Sequence, residues 1–138
     1  MGEYRFGRNS ILHIENLESG LAYVAREAMA YGIMDFAIIE SHRKKEVQDS
    51  YFHTSPQKTK VKWPNSKHNS MPAKAFDAVP YINGKISWNK LHCCVLAGII
   101  QAAAAKLGIA IRWGGNWDMD GEPVTDQDFQ DLVHFEVV

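Results

Sequence analysis

The 138-residue chain has little cysteine: two residues, Cys93 and Cys94, side by side. A disulfide wants Cα atoms about 5.5 Å apart with converging Cβ vectors, which sequence neighbours rarely supply. No disulfide framework is expected, and the chain suits a reducing compartment. It also lacks any apolar run of about 18 residues, so no membrane insertion is expected. The opening MGEYRFGRNS contains no apolar signal core, so a protein made in the cytoplasm without a signal peptide is expected. Met1-Gly2 begins like an N-myristoylation site, but Arg5 and Phe6 follow where Ser or Thr is wanted, and acylation is not expected. A charge excess is missing too. The formal net charge of −1 argues against nucleic acid as a partner, because phosphate binding needs basic surplus. Lys58, Lys60, Lys62 and Lys67 form a local exception, either a solvated loop or a surface for an anionic partner. No internal repeat or low-complexity linker is present.

What is there is ordinary globular composition, 46% hydrophobic and 22% charged. A chain of this length buries roughly 68% of its unfolded surface, enough for one core, so residues 1–138 read as a single domain. Leu17, Leu21, Val24, Ala25, Ala28 and Met29 recur at helical spacing over 17–31, and Gly32 stands where a helix would stop. Residues 34–39 read as a strand and 43–51 as a short helix. Pro56, Pro64 and Pro72 punctuate a long loop over 53–73, a feature that compact domains often reserve for function. Asn83-Gly84 predicts a hairpin between strands at 74–82 and 85–87. Residues 88–107 carry the longest apolar stripe and end at Gly108, the pattern of a helix with a glycine stop. A strand at 109–113, an acidic turn-rich loop at 114–128 and a final alternating strand, VHFEVV, complete an α+β order with a mostly antiparallel sheet and helices packed on it.

Asp77 sits among Ala75, Phe76, Ala78 and Val79 in a predicted strand. A carboxylate there is costly unless it is paired or bound to metal. His68 lies nine residues upstream, and His134 lies in the terminal strand three residues after Asp131. Two imidazoles and a carboxylate would suit an open zinc site with one position left for water or substrate. Taken singly, each has a blander reading. A strand histidine is commonly a satisfied structural residue, and a strand aspartate is commonly ion-paired.

In combination these residues resemble a known family. Ser66-Lys67-His68, Ala75-Phe76-Asp77 and Asp131-Leu132-Val133-His134-Phe135-Glu136 follow the pattern of the zinc D-Ala-D-Ala carboxypeptidases, and in particular of the phage L-alanyl-D-glutamate endolysin branch. Ile38-Ile39-Glu40-Ser41-His42-Arg43 with Gln48, Pro80 to Lys85, and Arg112 to Trp117 are similar to the endolysin versions and fall in the same order. The resemblance runs from about Phe6 to the C-terminus. The step from His68 to Asp77 is longer than in many relatives, and the extra residues fall in a proline-containing loop.

The resemblance implies a hedgehog/DD-peptidase-like fold and a Zn²⁺ peptidase acting on peptidoglycan. His68, Asp77 and His134 would hold the metal, and Asp131 would be the general base. Arg43 would stabilise an oxyanion or hold a substrate carboxylate, and Ser66 would touch substrate or orient the metal ligands. Trp113 and Trp117 flank a Gly-Gly turn and would either line the substrate groove or pack in the core. Glu136 shares a strand face with His134 and would serve as its partner or as a cross-strand ion pair. The family also implies a monomer that reaches the host cell wall after release, where the basic run would meet anionic wall. A terminal D-Ala-D-Ala carboxypeptidase, a dipeptidase, or a non-catalytic zinc-containing wall-binding module are the rival readings. Asp118, Asp120, Glu122, Asp126 and Asp128 give a faint, incomplete likeness to a calcium loop. No metal site is expected from Cys93, Cys94, His13, His42, His53 or His92.

Overall fold

The computed structural model describes residues 3–138; Met1-Gly2, with which the acylation pattern began, lie outside them. Four helices, α1 (Arg8–Glu15), α2 (Ser19–Ala30), α3 (Lys45–His53) and α4 (Lys90–Leu107), accompany five strands: β1 (Phe36–Glu40), β2 (Ala75–Ile82), β3 (Lys85–Ile86), β4 (Ile111–Gly114) and β5 (Asp131–Val137). The sheet runs β1-β2-β5-β4, with β3 paired to the end of β2, and every strand pair is antiparallel. The α+β expectation holds.

Local chemistry accounts for most of the boundaries. Asn89 caps α4 by accepting from the backbone N–H groups of Leu91 and His92, and Gly108 ends it in the left-handed region at φ 70°. Asn83 and Gly84, both at positive φ, make the tight turn between β2 and β3. The helix expected at 17–31 is shorter, and α1 precedes it unannounced by the sequence. The inner face of α1 carries Ser10 beside Ile14, while Ile11 and Leu12 are exposed, so no apolar stripe marks it. Ser10 is nevertheless specific: its Oγ accepts from Ile38 N at 3.0 Å, docking α1 on β1.

The two-residue period of the strands sorts the sheet into two faces. Phe76, Ala78, Ile38, Trp113 and Phe135 point into the core, where Leu21, Val24, Ala25 and Ala28 of α2 meet Leu96, Ile100 and Ala103 of α4. Phe76 and Phe135 are register partners whose rings stack at 5.4 Å. Helix α4 is long and apolar enough on composition alone to cross a membrane; here its Leu96–Ile100 face is the middle of this core. Residues between those core positions, Asp77 on β2 with His134 and Glu136 on β5, face the other way. The long loop of residues 54–74 covers that second face.

Candidate metal centre and active site

Asp77 and His134 are register partners on adjacent strands. Directly opposed residues have Cβ atoms about 4.5–5.5 Å apart on one face, so strand pairing alone brings these two side chains together. His68 descends from the long loop and is 2% exposed. His68 Nε2 lies 3.3 Å from Asp77 Oδ1 and 3.3 Å from His134 Nδ1, and His134 Nδ1 lies 3.5 Å from Asp77 Oδ1. Donors held about 2.0–2.1 Å from a tetrahedral zinc ion are separated by about 3.3–3.4 Å. The triangle matches that spacing.

The far side of each ring fixes its chemistry. His68 Nδ1 is 2.8 Å from the carbonyl oxygen of Ser41, which only accepts, so the ring donates there and turns a lone pair inward at Nε2. A one-residue bulge in β1 between Ile38 and Glu40 bends the chain just before Ser41. His134 Nε2 is 2.8 Å from Glu136 Oε1, leaving Nδ1 to face inward. Asp77 Oδ1 is buried and has no hydrogen-bond partner even though two ring nitrogens stand beside it. An orphaned buried oxygen facing two imidazole nitrogens, with a carbonyl and a carboxylate holding the rings from behind, is a donor set for a cation. The residues fit zinc.

Without a cation the same groups lean on each other. Burial would raise the Asp77 carboxyl, but the closeness of His134 and His68 outweighs it and holds the group below the usual carboxylate range. Burial would lower the His134 imidazole, yet Asp77 and Glu136, one at each nitrogen, lift it to about 9. Glu136 is held down at about 2: burial opposes this, and His134 and Lys67 prevail. Both expectations for Glu136 hold at once, since it bonds His134 and also pairs with Lys67 at 3.0 Å and Arg112 at 3.8 Å.

The triangle lies at the floor of a cleft of about 390 Å³, within the usual size of small-ligand sites. A larger hollow of about 600 Å³ between α1 and β1 has no such triangle among the described residues. Asp131, Arg43, Ser66 and Trp117 line the metal-side cleft. Burial pushes the Asp131 carboxyl up, with the nearby Asp77 charge adding to it.

Asp131 and His134 are three apart, and in a regular strand an odd separation points side chains to opposite faces. The ladder is not regular. Ile111, Arg112 and Trp113 face Val137, Glu136 and Phe135 in turn, but Gly114 faces Asp131 rather than His134. The residues 132–134 therefore stand against a single step of β4, an irregularity that re-aims Asp131. Trp113 pins it, donating from Nε1 to Leu132 O at 2.8 Å. Gly114 permits it, because a Cβ there would lie 2.1 Å from Asp131 O.

Trp113 corrects one sequence expectation: the indole is 5% exposed, belongs to the core and does not line the cleft. Trp117 does line it, stacked on Phe129 at 6.0 Å with its ring 5.6 Å from His134. Arg43 precedes α3 rather than beginning it. It is buried, donates from Nη1 to Gln48 Oε1 at 2.9 Å, pairs through Nε with Glu40, and lies over the Tyr51 ring. Ser66 Oγ accepts from His68 N at 3.2 Å.

Gln48, named in the sequence only as part of the endolysin-like stretch, proves to be a buried hub, and Asn69 and Phe129 escaped the sequence reading. Gln48 is fully buried; beyond Arg43, its Oε1 accepts from Asn69 Nδ2 and its Nε2 donates to Val61 O. Asn69 Nδ2 also donates to Arg43 O. Phe129 shares its loop with Trp117 and stacks on that indole. Asp118, Asp120 and Asp126 bring carboxylate oxygens within 4.8 Å of one another on the exposed loop. Loss of hydration among the crowded carboxyls, a hydrogen bond with Asp120 and the charges of Asp118 and Asp120 lift Asp126 to about 6. Cys93 and Cys94 are both free.

A model of the phage L-alanyl-D-glutamate peptidases matches residues 1–138. The chain belongs to that family. It is 32% identical over 120 residues to the L-alanyl-D-glutamate peptidase of Escherichia phage T5, covering 86% of this chain and 85% of that one. The crystal structure of the Serratia marcescens L-Ala D-Glu endopeptidase ChiX superposes with a TM-score of 0.78 at 25% identity, over 99% of this chain and 91% of that one. Membership of this peptidase family makes the protein an enzyme of peptide-bond hydrolysis, with the cell wall as its place of action.

Proposed function

We propose that the protein is a phage-type endolysin that hydrolyses the L-alanyl–D-glutamate bond of peptidoglycan with one Zn²⁺ held by His68, Asp77 and His134. The observation that carries this reading is the triangle of His68 Nε2, Asp77 Oδ1 and His134 Nδ1, beside Asp131, in a member of this peptidase family. When bound, zinc supplies Lewis acidity, polarising a carbonyl and acidifying water near neutral pH.

The chain's own groups do the rest. Asp131 takes the proton of the attacking water on a carboxylate oxygen and returns it to the departing amine. Its raised carboxyl suits a group that must both accept and release a proton near neutrality. Glu136 and the Ser41 carbonyl hold the two imidazoles in the ring orientation that presents a lone pair. Arg43, fixed by Glu40, Gln48 and Tyr51, turns its remaining N–H groups to the cleft, where they stabilise developing negative charge. Ser66 steadies the His68 backbone, and Trp117 offers an aromatic wall to the substrate. Every group comes from one chain, so a monomer suffices. Synthesis in the host cytoplasm and action on the wall after release complete the reading.

The test is incubation of purified protein with peptidoglycan and counting of new amino groups, beside Asp131→Ala and a zinc-stripped sample. Release by wild type alone, with glutamate as the newly exposed N-terminal residue, is the expected result. A protein that binds one zinc yet releases no amine would be a wall-binding module instead.

A further inference from the structure

The metal-side cleft has one wall whose charge the chemistry above leaves unused. Lys58 and Lys60 line it. Among the described residues, neither ammonium has a carboxylate within ion-pairing distance, whereas Lys67 in the same cleft is paired with Glu136 and Arg43 with Glu40. Instead, Lys58 sits over the Tyr51 ring, 5.2 Å from its centre, and Lys60 over the Phe129 ring at 5.5 Å. Tyr51 also carries Arg43, and Phe129 stacks on Trp117, which stands against His134. The two cations are thus seated on the aromatic groups that frame the metal centre.

The segment that bears them is anchored. Lys58 N donates to Tyr51 O at 3.0 Å, and the buried Gln48 amide donates to Val61 O. A divalent ion at the floor would be offset by Asp77 and Asp131, which leaves the two lysines as the unpaired charge of the cleft. An unpaired cationic wall of this kind suits a ligand that brings its own negative charge on one side.

The proposed substrate has that charge. Glutamate has two carboxyl groups, and a peptide continues through only one of them. The other is a free anion on the leaving side of the scissile bond. We infer that Lys58 and Lys60 are specificity-determining residues that recognise this free glutamate carboxylate. The inference rests on the L-alanyl–D-glutamate reading and names how that bond's leaving side is chosen.

The experiment uses two synthetic stem peptides that differ only at that glutamate, one with the carboxylate free and one with it amidated to a neutral carboxamide. Values of kcat/KM are measured for wild type, Lys58→Gln/Lys60→Gln and Lys58→Arg/Lys60→Arg. Wild type is expected to prefer the free acid by about tenfold, the size of one good charge-assisted contact, mainly through KM and less at high salt. The double glutamine variant should bring the ratio near one, and the double arginine variant should keep it. If wild type cuts both peptides equally, or the glutamine variant retains the preference, the lysine assignment is overturned while the bond assignment stands. If wild type cuts neither peptide, the bond assignment itself falls and takes this one with it.

Discussion

Replacing Gly114 by alanine tests whether Asp131 is aimed by the irregular pairing of β4 and β5. The added Cβ would lie 2.1 Å from Asp131 O and 2.9 Å from both Asp131 C and Asp131 Cβ. The nearest of these atoms is backbone, so no side-chain rotation relieves the clash. Reaching even a tight contact requires the two strands to part by about 1 Å, and a shift of about 1 Å at a catalytic group costs on the order of 10²-fold. Overpacking of this kind costs about 1–3 kcal/mol of stability, which a domain of this size survives. His134 is held from the opposite edge of β5, through its pairing with Asp77, so the metal triangle should persist. The expected outcome for Gly114→Ala is a fall in kcat of about 10²-fold, zinc near one equivalent and a modestly lower Tm. Amine release, elemental analysis and thermal unfolding give the three readings. Unchanged kcat with a lowered Tm would refute the view that this glycine sets Asp131. Loss of zinc in step with activity would show that the two halves of β5 are not independent.

Asp77→Asn should abolish stoichiometric zinc binding, measured by elemental analysis after gel filtration, and amine release should fall to the level of the chelated wild type. Gln48→Ala should cost about 3 kcal/mol in a urea titration, because it leaves Arg43 Nη1, Asn69 Nδ2 and Val61 O without their shared buried partner. Trp113→Phe should leave a small void in the core and release Leu132 O, lowering kcat more than it changes KM and costing about 2 kcal/mol. Burial holds the His13 imidazole below its ordinary 6.5, against the opposing charge of Glu40. The unfolded chain therefore binds that proton more readily, so stability is full above pH 6.5 and falls as the pH drops below it. Thermal unfolding of His13→Gln between pH 7 and pH 5 should show a flatter decline than wild type.

Local signals in the sequence announced most of the elements that carry the site. Asn83-Gly84 and Gly108 are residues whose own backbone chemistry dictates a turn and a stop, so they read correctly in isolation, whereas the Asn89 cap that starts α4 one residue later than the expected helix went unread. Asp77 stood out because an apolar strand rarely tolerates a carboxylate. Other features depend on tertiary placement and leave no local mark. Ser41 contributes a carbonyl, which every residue has, so nothing in its side chain advertises its role behind His68. Helix α1 buries a serine, and the hydrogen bond it makes becomes visible only when β1 is alongside. The pairing of Gly114 with Asp131 is a property of two strands joined by a long loop, invisible to a two-residue period counted along either one. Trp113 and Trp117 flank the same glycines, yet one faces the core and the other the cleft, a division decided by where β4 ends.

His68 enters the triangle from the long loop, whereas Asp77 and His134 belong to the sheet beneath it. A metal ion shared by the three is therefore a cross-link between a loop and a sheet, in a chain whose cysteines form no such link. That loop also carries Lys58, Lys60 and Ser66, so the ion that activates the scissile carbonyl would at the same time tether the wall that selects the substrate. Chelation should then expose residues 54–67 to proteolysis before the sheet unfolds.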